Sequence, residues 1–169
     1  MKISLDLLCH DVVELCREVG LFIKMEEHKV VQADVETKSK NSLVSYVDKT
    51  AEEKLVKDLA LFLPEAGFIA EEGTSDKVGD VYNWIIDPLD GTTNFLHGVP
   101  TYSVSVALKQ NDKIVLGVVY EVNRDECFYA WEGSNAFLNG DTIKVSSTSK
   151  LADSLIATGF PYYDYKHLD

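Results

Sequence analysis

Leu5, Leu8, Val12, Leu15, Val19 and Phe22 recur at the three-and-four spacing that lines up side chains along one helix face. The pattern predicts a long first helix ending near Glu26, with Ser4 available as its cap. Lys29 to Val35 is β-prone. Thr37-Lys38-Ser39-Lys40-Asn41-Ser42 has no apolar position to bury and is expected to be a mobile polar segment. A second helical stripe, Ala51, Leu55, Leu59 and Phe62, predicts a helix over 50–62. Asp48 is placed to cap it and Pro64 to stop it.

From residue 102 onward the period changes from helical to two. Tyr102 to Leu108 alternates, Gln110-Asn111-Asp112-Lys113 turns, and Ile114 to Val122 returns. Asn123-Arg124-Asp125 turns again before Glu126 to Trp131. Asn139-Gly140 is a strong type I′ hairpin signal between Ala136-Phe137-Leu138 and Thr142-Ile143-Lys144-Val145. Leu155 to Thr158 reads as one more strand. Helices precede hairpins, so the expected class is α+β: two long N-terminal helices packed on a largely antiparallel sheet. Trp84 and Trp131 are expected in the core or on a sheet face.

One run carries most of the chemistry: Trp84-Ile85-Ile86-Asp87-Pro88-Leu89-Asp90-Gly91-Thr92-Thr93-Asn94-Phe95. A buried strand that ends at Asp87 would deliver Asp87 and Asp90 into one small volume. Two carboxylates held together repel unless a cation lies between them. Mg²⁺ suits such a place, because it takes oxygen ligands and is commonly held by one or two carboxylates, waters and substrate phosphate. Gly91 and Thr92 add backbone N–H groups, and Thr92 and Thr93 add hydroxyls, for an anion. Any few of these residues are ordinary turn formers, but a turn does not need the whole string.

This run resembles the signature of the inositol monophosphatase family of metal-dependent, lithium-sensitive phosphatases. Phe68-Ile69-Ala70-Glu71-Glu72-Gly73 is similar to the family's Glu-Glu motif, and Asn41-Ser42-Leu43-Val44-Ser45-Tyr46-Val47-Asp48 to the segment bringing its first acidic residue. Asn135-Ala136-Phe137-Leu138-Asn139-Gly140 and Ile156-Ala157-Thr158-Gly159-Phe160-Pro161 resemble further family segments. The family's later Trp-Asp-x-x-x-Gly motif does not occur in these residues. The resemblance implies the N-terminal half of an αβαβα fold shared with fructose bisphosphatases. It divides the chain into an N-terminal metal-binding domain, 1–150, and the start of an incomplete C-terminal α/β domain, 151–169.

The resemblance also implies roles. Glu71, Asp87, the Leu89 carbonyl and the Thr92 hydroxyl would hold a first Mg²⁺. Asp87 would bridge to a second ion bound by Asp90, and a third ion is possible in the family. Asp48 would hydrogen-bond Thr92, the pair orienting the attacking water with help from Glu71. Asp90 and the N–H groups of Gly91 and Thr92 would meet the phosphate. The implied reaction is hydrolysis of a phosphate monoester, inositol monophosphate first. Fructose 1,6-bisphosphate, 3′-phosphoadenosine phosphate and histidinol phosphate stay open as substrates, as does a non-catalytic interaction protein that keeps the fold. Lithium inhibition and a homodimer come with the resemblance. A chain lacking the later family segments is expected to be a poor catalyst.

Plainer roles compete. Asp48 can be only a helix cap. Glu71-Glu72 can be a solvated acidic turn, with Glu72 directed away from the site if the strand continues. Lys38, a possible phosphate contact, suits a solvated surface better. His97 suits a structural position beside the motif.

Bulk properties narrow the field. Of 169 residues, 46% are hydrophobic and 26% charged, ordinary values for a globular domain. No apolar run is long enough for a membrane span, and no signal-peptide core is visible at the N-terminus. Cys9, Cys16 and Cys127 have no metal-ligand spacing, and Cys9 and Cys16 read as small buried apolar groups on one helix face. These features favour the cytoplasm. The formal charge of −12 argues against nucleic acid as a partner; the expected partner is a small phosphorylated molecule.

Overall fold

The structure, a computed structural model, describes residues 3–30, 35–39 and 42–158, with the backbone alone for 35–39 and 42–44. The side chain of Lys38 and the family-like segment from Gly159 onward lie outside it. Helix α1 runs Leu5–Glu26 and buries Leu8, Cys9, Val12, Val13, Leu15, Cys16, Val19, Gly20 and Ile23. Ser4 occupies its N-cap position but makes no side-chain cap bond. Strands β1 (Val35–Ser39) and β2 (Ser42–Ser45) form an antiparallel hairpin. A mobile polar loop was expected over part of this stretch. A two-stranded ladder needs paired backbone groups rather than an apolar face, and Val35, Thr37 and Val44 are β-branched residues that suit it.

Helix α2 spans Tyr46–Phe62 and starts four residues before the expected boundary. Its N-cap is Ser45, not Asp48. Asp48 is the third helical residue of a capping box, reaching back to the Ser45 N–H at 2.8 Å. Ala51, Leu55 and Leu59 are fully buried, as the stripe predicts, whereas Phe62, the last helical residue before Leu63 and Pro64, is half-exposed.

The main sheet has seven strands in the order of their sequence: β3 (Gly67–Ala70), β4 (Tyr82–Asp90), β5 (Ser103–Gln110), β6 (Lys113–Glu121), β7 (Glu126–Trp131), β8 (Ala136–Leu138) and β9 (Asp141–Ile143). All pairs are antiparallel except β3–β4. The β8–β9 turn places Asn139 at φ 50° and Gly140 at φ 94°, the pair of left-handed residues that a type I′ turn requires. Both helices pack on one face of this sheet, against Trp84, Ile86, Val104, Val106, Leu108, Leu116, Val118 and Tyr120. Close approach is needed where α1 crosses β6: a Cβ on Gly20 would lie 2.4 Å from the Tyr120 ring.

The other face has no helix on it among the described residues. Ala107, Gly117, Val119, Phe128 and Ala130 lie together there, with Val119 and Phe128 well exposed. The expected strand at Leu155–Thr158 is not formed. A 3₁₀ turn at Leu151–Asp153 leads into residues 154–158 without regular structure. An unpaired strand leaves its backbone groups to solvent, and Leu155 is 101% exposed.

Candidate active site

Glu71 and Asp87 become neighbours through parallel pairing. Strands β3 and β4 run in register through Ala70 opposite Ile86. One residue further on each strand brings Glu71 beside Asp87, and the Glu71 N–H donates to the Ile86 carbonyl at 3.2 Å. The strand was expected to end at Asp87, but β4 continues to Asp90. Asp87 opposes Ser105 and Asp90 opposes Ser103, so β4 carries an extra residue between these pairs. Pro88 lies in that bulge, where its missing N–H breaks no regular ladder. Asp87 Oδ1 accepts the Leu89 N–H at 3.2 Å, closing a local turn.

Burial, the charges of Glu71 and Asp90, and a hydrogen bond with Glu71 raise the Asp87 carboxyl to about 7; the Leu89 N–H opposes this. The three acidic side chains are thus close enough to act on one another. Among the described residues, however, no group of three or more His, Cys, Asp and Glu side chains stands at metal-holding geometry. Mg²⁺ seldom needs an all-protein cage, because waters and substrate phosphate complete its shell.

Gly91 follows at φ 97°, a left-handed turn, and a Cβ there would lie 3.0 Å from the Thr101 carbonyl. It starts the short helix α3, Thr92–Leu96, whose Phe95 is anchored edge-on against Tyr102 at 5.3 Å. Thr92 Oγ1 lies 2.8 Å from Asp48 Oδ1 and 3.0 Å from the Leu89 carbonyl. One hydroxyl proton serves two acceptors. Asp48 is 1% exposed. Its Oδ2 accepts from the Ser45 N–H and the Ser45 hydroxyl at 2.8 and 2.7 Å, which leaves Oδ1 for Thr92. Capping and holding Thr92 are therefore done by different oxygens of one carboxylate.

A model of the Inositol monophosphatase family matches residues 6–168. The chain belongs to that family. It is 38% identical to an inositol monophosphatase of Dictyostelium discoideum over 95% of its own length and 60% of the relative's. It is 39% identical to a fructose-1,6-bisphosphatase/inositol-1-monophosphatase of Thermotoga maritima, over 90% of this chain and 58% of that one. The crystal structure of the extragenic suppressor protein suhB from Bartonella henselae superposes with a TM-score of 0.83 at 38% identity, covering 90% of this chain and 59% of that one. The chain therefore spans about 60% of the length of these relatives.

Within this inositol monophosphatase-family chain, the fold gathers Asp48, Glu71, Asp87, Leu89, Asp90, Gly91 and Thr92 at the carboxyl ends of β3 and β4 and the N-terminus of α2. His97 is exposed and its ring Nδ1 lies 2.8 Å from the Thr93 carbonyl, a local helix-end contact. Trp84 is fully buried, and Trp131 stacks on Phe137 at 5.5 Å. Glu52 was missed from sequence. It is fully buried, and its two oxygens accept the N–H groups of Glu72 and Thr74 at 2.7 and 2.9 Å. Its signal was available: Glu52 follows Asp48 by four residues and shares the face of Ala51, Leu55 and Leu59, where a carboxylate has no place without a partner.

Proposed function

We propose that this chain supplies the metal- and phosphate-binding part of a Mg²⁺-dependent phosphomonoesterase, with inositol monophosphate as its first substrate. The observation that carries this reading is the Asp48–Thr92–Leu89 hydrogen-bond cluster beside Glu71, Asp87 and Asp90. The available donors are carboxylates, a carbonyl and a hydroxyl, with no imidazole or thiolate among them. Such a set favours a hard cation over zinc or copper. The like charges that raise Asp87 are what a cation would relieve.

Glu71, Asp87, the Leu89 carbonyl and the Thr92 hydroxyl would hold a first Mg²⁺, and Asp87 with Asp90 a second, for two or three ions in all. Bound Mg²⁺ supplies charge neutralisation on the phosphoryl oxygens and a lowered water pKa. The chain's own groups set direction. Thr92 directs its hydroxyl hydrogen to Asp48 Oδ1, so an oxygen lone pair is left to accept a hydrogen bond from water on the open side. Ser45 keeps the Asp48 carboxylate from rotating away. The first-turn N–H groups of α3 have no intrahelical acceptor and take phosphate oxygens, with Gly91 allowing close approach.

Residues 1–150 would form the metal-binding domain and 151–169 the beginning of a second unit. The irregular chain from Lys144, with Val145 and Leu155 fully exposed, supports a boundary in this region. The buried free thiols of Cys9, Cys16 and Cys127 suit a reducing compartment such as the cytoplasm. No helix among the described residues is long and apolar enough to cross a membrane. A homodimer and a small phosphorylated substrate, without nucleic acid, complete the proposal.

The Thermotoga maritima relative is named for both activities, which supports fructose 1,6-bisphosphate as a second substrate. Steady-state assays of a chain extended to the relatives' length, on inositol 1-phosphate and fructose 1,6-bisphosphate with and without Mg²⁺, test the reading. Turnover of neither ester with Mg²⁺ present overturns it.

A further inference from the structure

Two carboxylates on one face of α2 reach the two walls of the site. Asp48 holds Thr92, on the wall formed by the end of β4. Glu52, one turn further along, holds the wall formed by the end of β3. Its side chain is 0% exposed, yet its partners are backbone N–H groups of a surface turn. Burying a carboxylate is costly unless the charge is met by strong donors. Hydrophobic packing gives no reason for an acid between Ala51 and Leu55. The donors come from the residues that flank Gly73, where the chain reverses at φ 70°.

The turn has work to do. Glu71 stands beside Asp87, one residue past the last ladder partners Ala70 and Ile86 of the parallel pair. Its place there depends on how the chain is held on both sides. On its strand side the Glu71 N–H is tied to Ile86. On its other side the next N–H, that of Glu72, is tied to Glu52, and Thr74 closes the clamp. A displaced turn would let the Glu71 carboxylate move off toward solvent.

We propose that Glu52 is a positioning residue: its buried carboxylate clamps the 71–74 turn and so presents Glu71 to the cation site. This rests on the metal reading above. The clamp acts through backbone donors, so the identities of Glu72 and Thr74 matter little to it, and the charge at Glu52 matters greatly. An amide at this position has one acceptor atom for two donors and turns its NH₂ group toward the other N–H.

The test is calorimetric Mg²⁺ titration of the full chain and of Glu52→Gln, Glu53→Gln and Asp87→Asn, with amide hydrogen exchange read at residues 72 and 74 and across β6. Glu53 is the exposed neighbour on the same helix. The expected result is a loss of about 10–100-fold in Mg²⁺ affinity for Glu52→Gln, the range typical for groups that orient metal ligands. Glu53→Gln should bind as wild type. Exchange should accelerate at 72 and 74 in Glu52→Gln while β6 stays protected, which separates a local release from general unfolding. Wild-type affinity in Glu52→Gln, with Asp87→Asn weakened, overturns the clamp alone. Wild-type affinity in Asp87→Asn overturns the metal site and this inference with it. Should Glu52→Gln fail to fold, the wild-type chain decides: added Mg²⁺ should slow exchange at 72 and 74, and unchanged exchange there overturns the proposal.

Discussion

At the scale of single residues, Asp87 is the most informative position. Its carboxyl has an ordinary value of 3.8 and is raised to about 7 by burial and by Glu71 and Asp90. Between those values the folded chain keeps a proton that the unfolded chain has released. Without metal, stability should therefore fall as pH rises from about 4 to about 7 and level off above. Asp87→Asn removes this effect. The variant should be more stable than wild type at pH 8, with the difference gone near pH 4, as measured by denaturant melts at each pH. The same variant should lose most Mg²⁺ stabilisation at pH 8. Thr92 makes a separate prediction. In the chain extended to the relatives' length, Thr92→Ala should lower kcat by about 10²–10⁴-fold, the usual range for a proton-handling group, with a smaller change in phosphate affinity. Unchanged kcat at saturating Mg²⁺ would remove the Asp48–Thr92 pair from the reaction. The acidic and hydroxyl residues of this site were legible as a motif. Glu52 was not read: its place on the apolar face of α2 marks it as an acid that needs a partner, but the partners are backbone N–H groups twenty or more residues away, and a backbone donor leaves no mark in sequence.

At the scale of elements, local rules account for most of what forms. The α1 stripe, the alternation of β5 to β7 and the Asn139-Gly140 turn all state their period in the sequence, and each element stands where that period puts it. Element ends are less legible. Pro88 argues for a strand that stops, but a bulge lets β4 pass through it to Asp90. Asp48 argues for a cap, but Ser45 takes that place and Asp48 closes the capping box from inside the helix. This arrangement couples helix stability to the site. Ser45→Ala should cost about 1 kcal/mol, the usual value for a lost cap, and lower Tm by about 2–4 °C for a chain of this size. It should also lower Mg²⁺-dependent turnover in the extended chain, since the Asp48 carboxylate loses the Ser45 hydroxyl, one of the two donors to Oδ2, and keeps only the backbone N–H there. A Tm drop with unchanged turnover would make the capping box purely structural.

At the scale of the whole molecule, the sheet has one covered and one bare face. Val119, Phe128 and their neighbours lie together on that bare face, and contiguous apolar surface favours association. The 18.9 kDa chain should therefore elute above its monomer mass, and Val119→Ser with Phe128→Ser should shift it back toward monomer. Light scattering after size exclusion checks both. The chain alone should also turn over inositol 1-phosphate far more slowly than the extended chain, since the remaining two-fifths of its relatives' length is not in it. Equal rates would show that the site is complete within these residues. The sequence by itself determined the two long helices, the strands between residues 102 and 143, the α+β class and the acidic motif, because hydrophobic period and turn chemistry act over a few neighbouring positions. Only the tertiary structure decided that β3 and β4 pair in parallel, which puts Glu71 next to Asp87, and that one face of α2 reaches both walls of the site. Those relations depend on register and packing between segments far apart in the chain, where the energy comes from contacts that no local window contains.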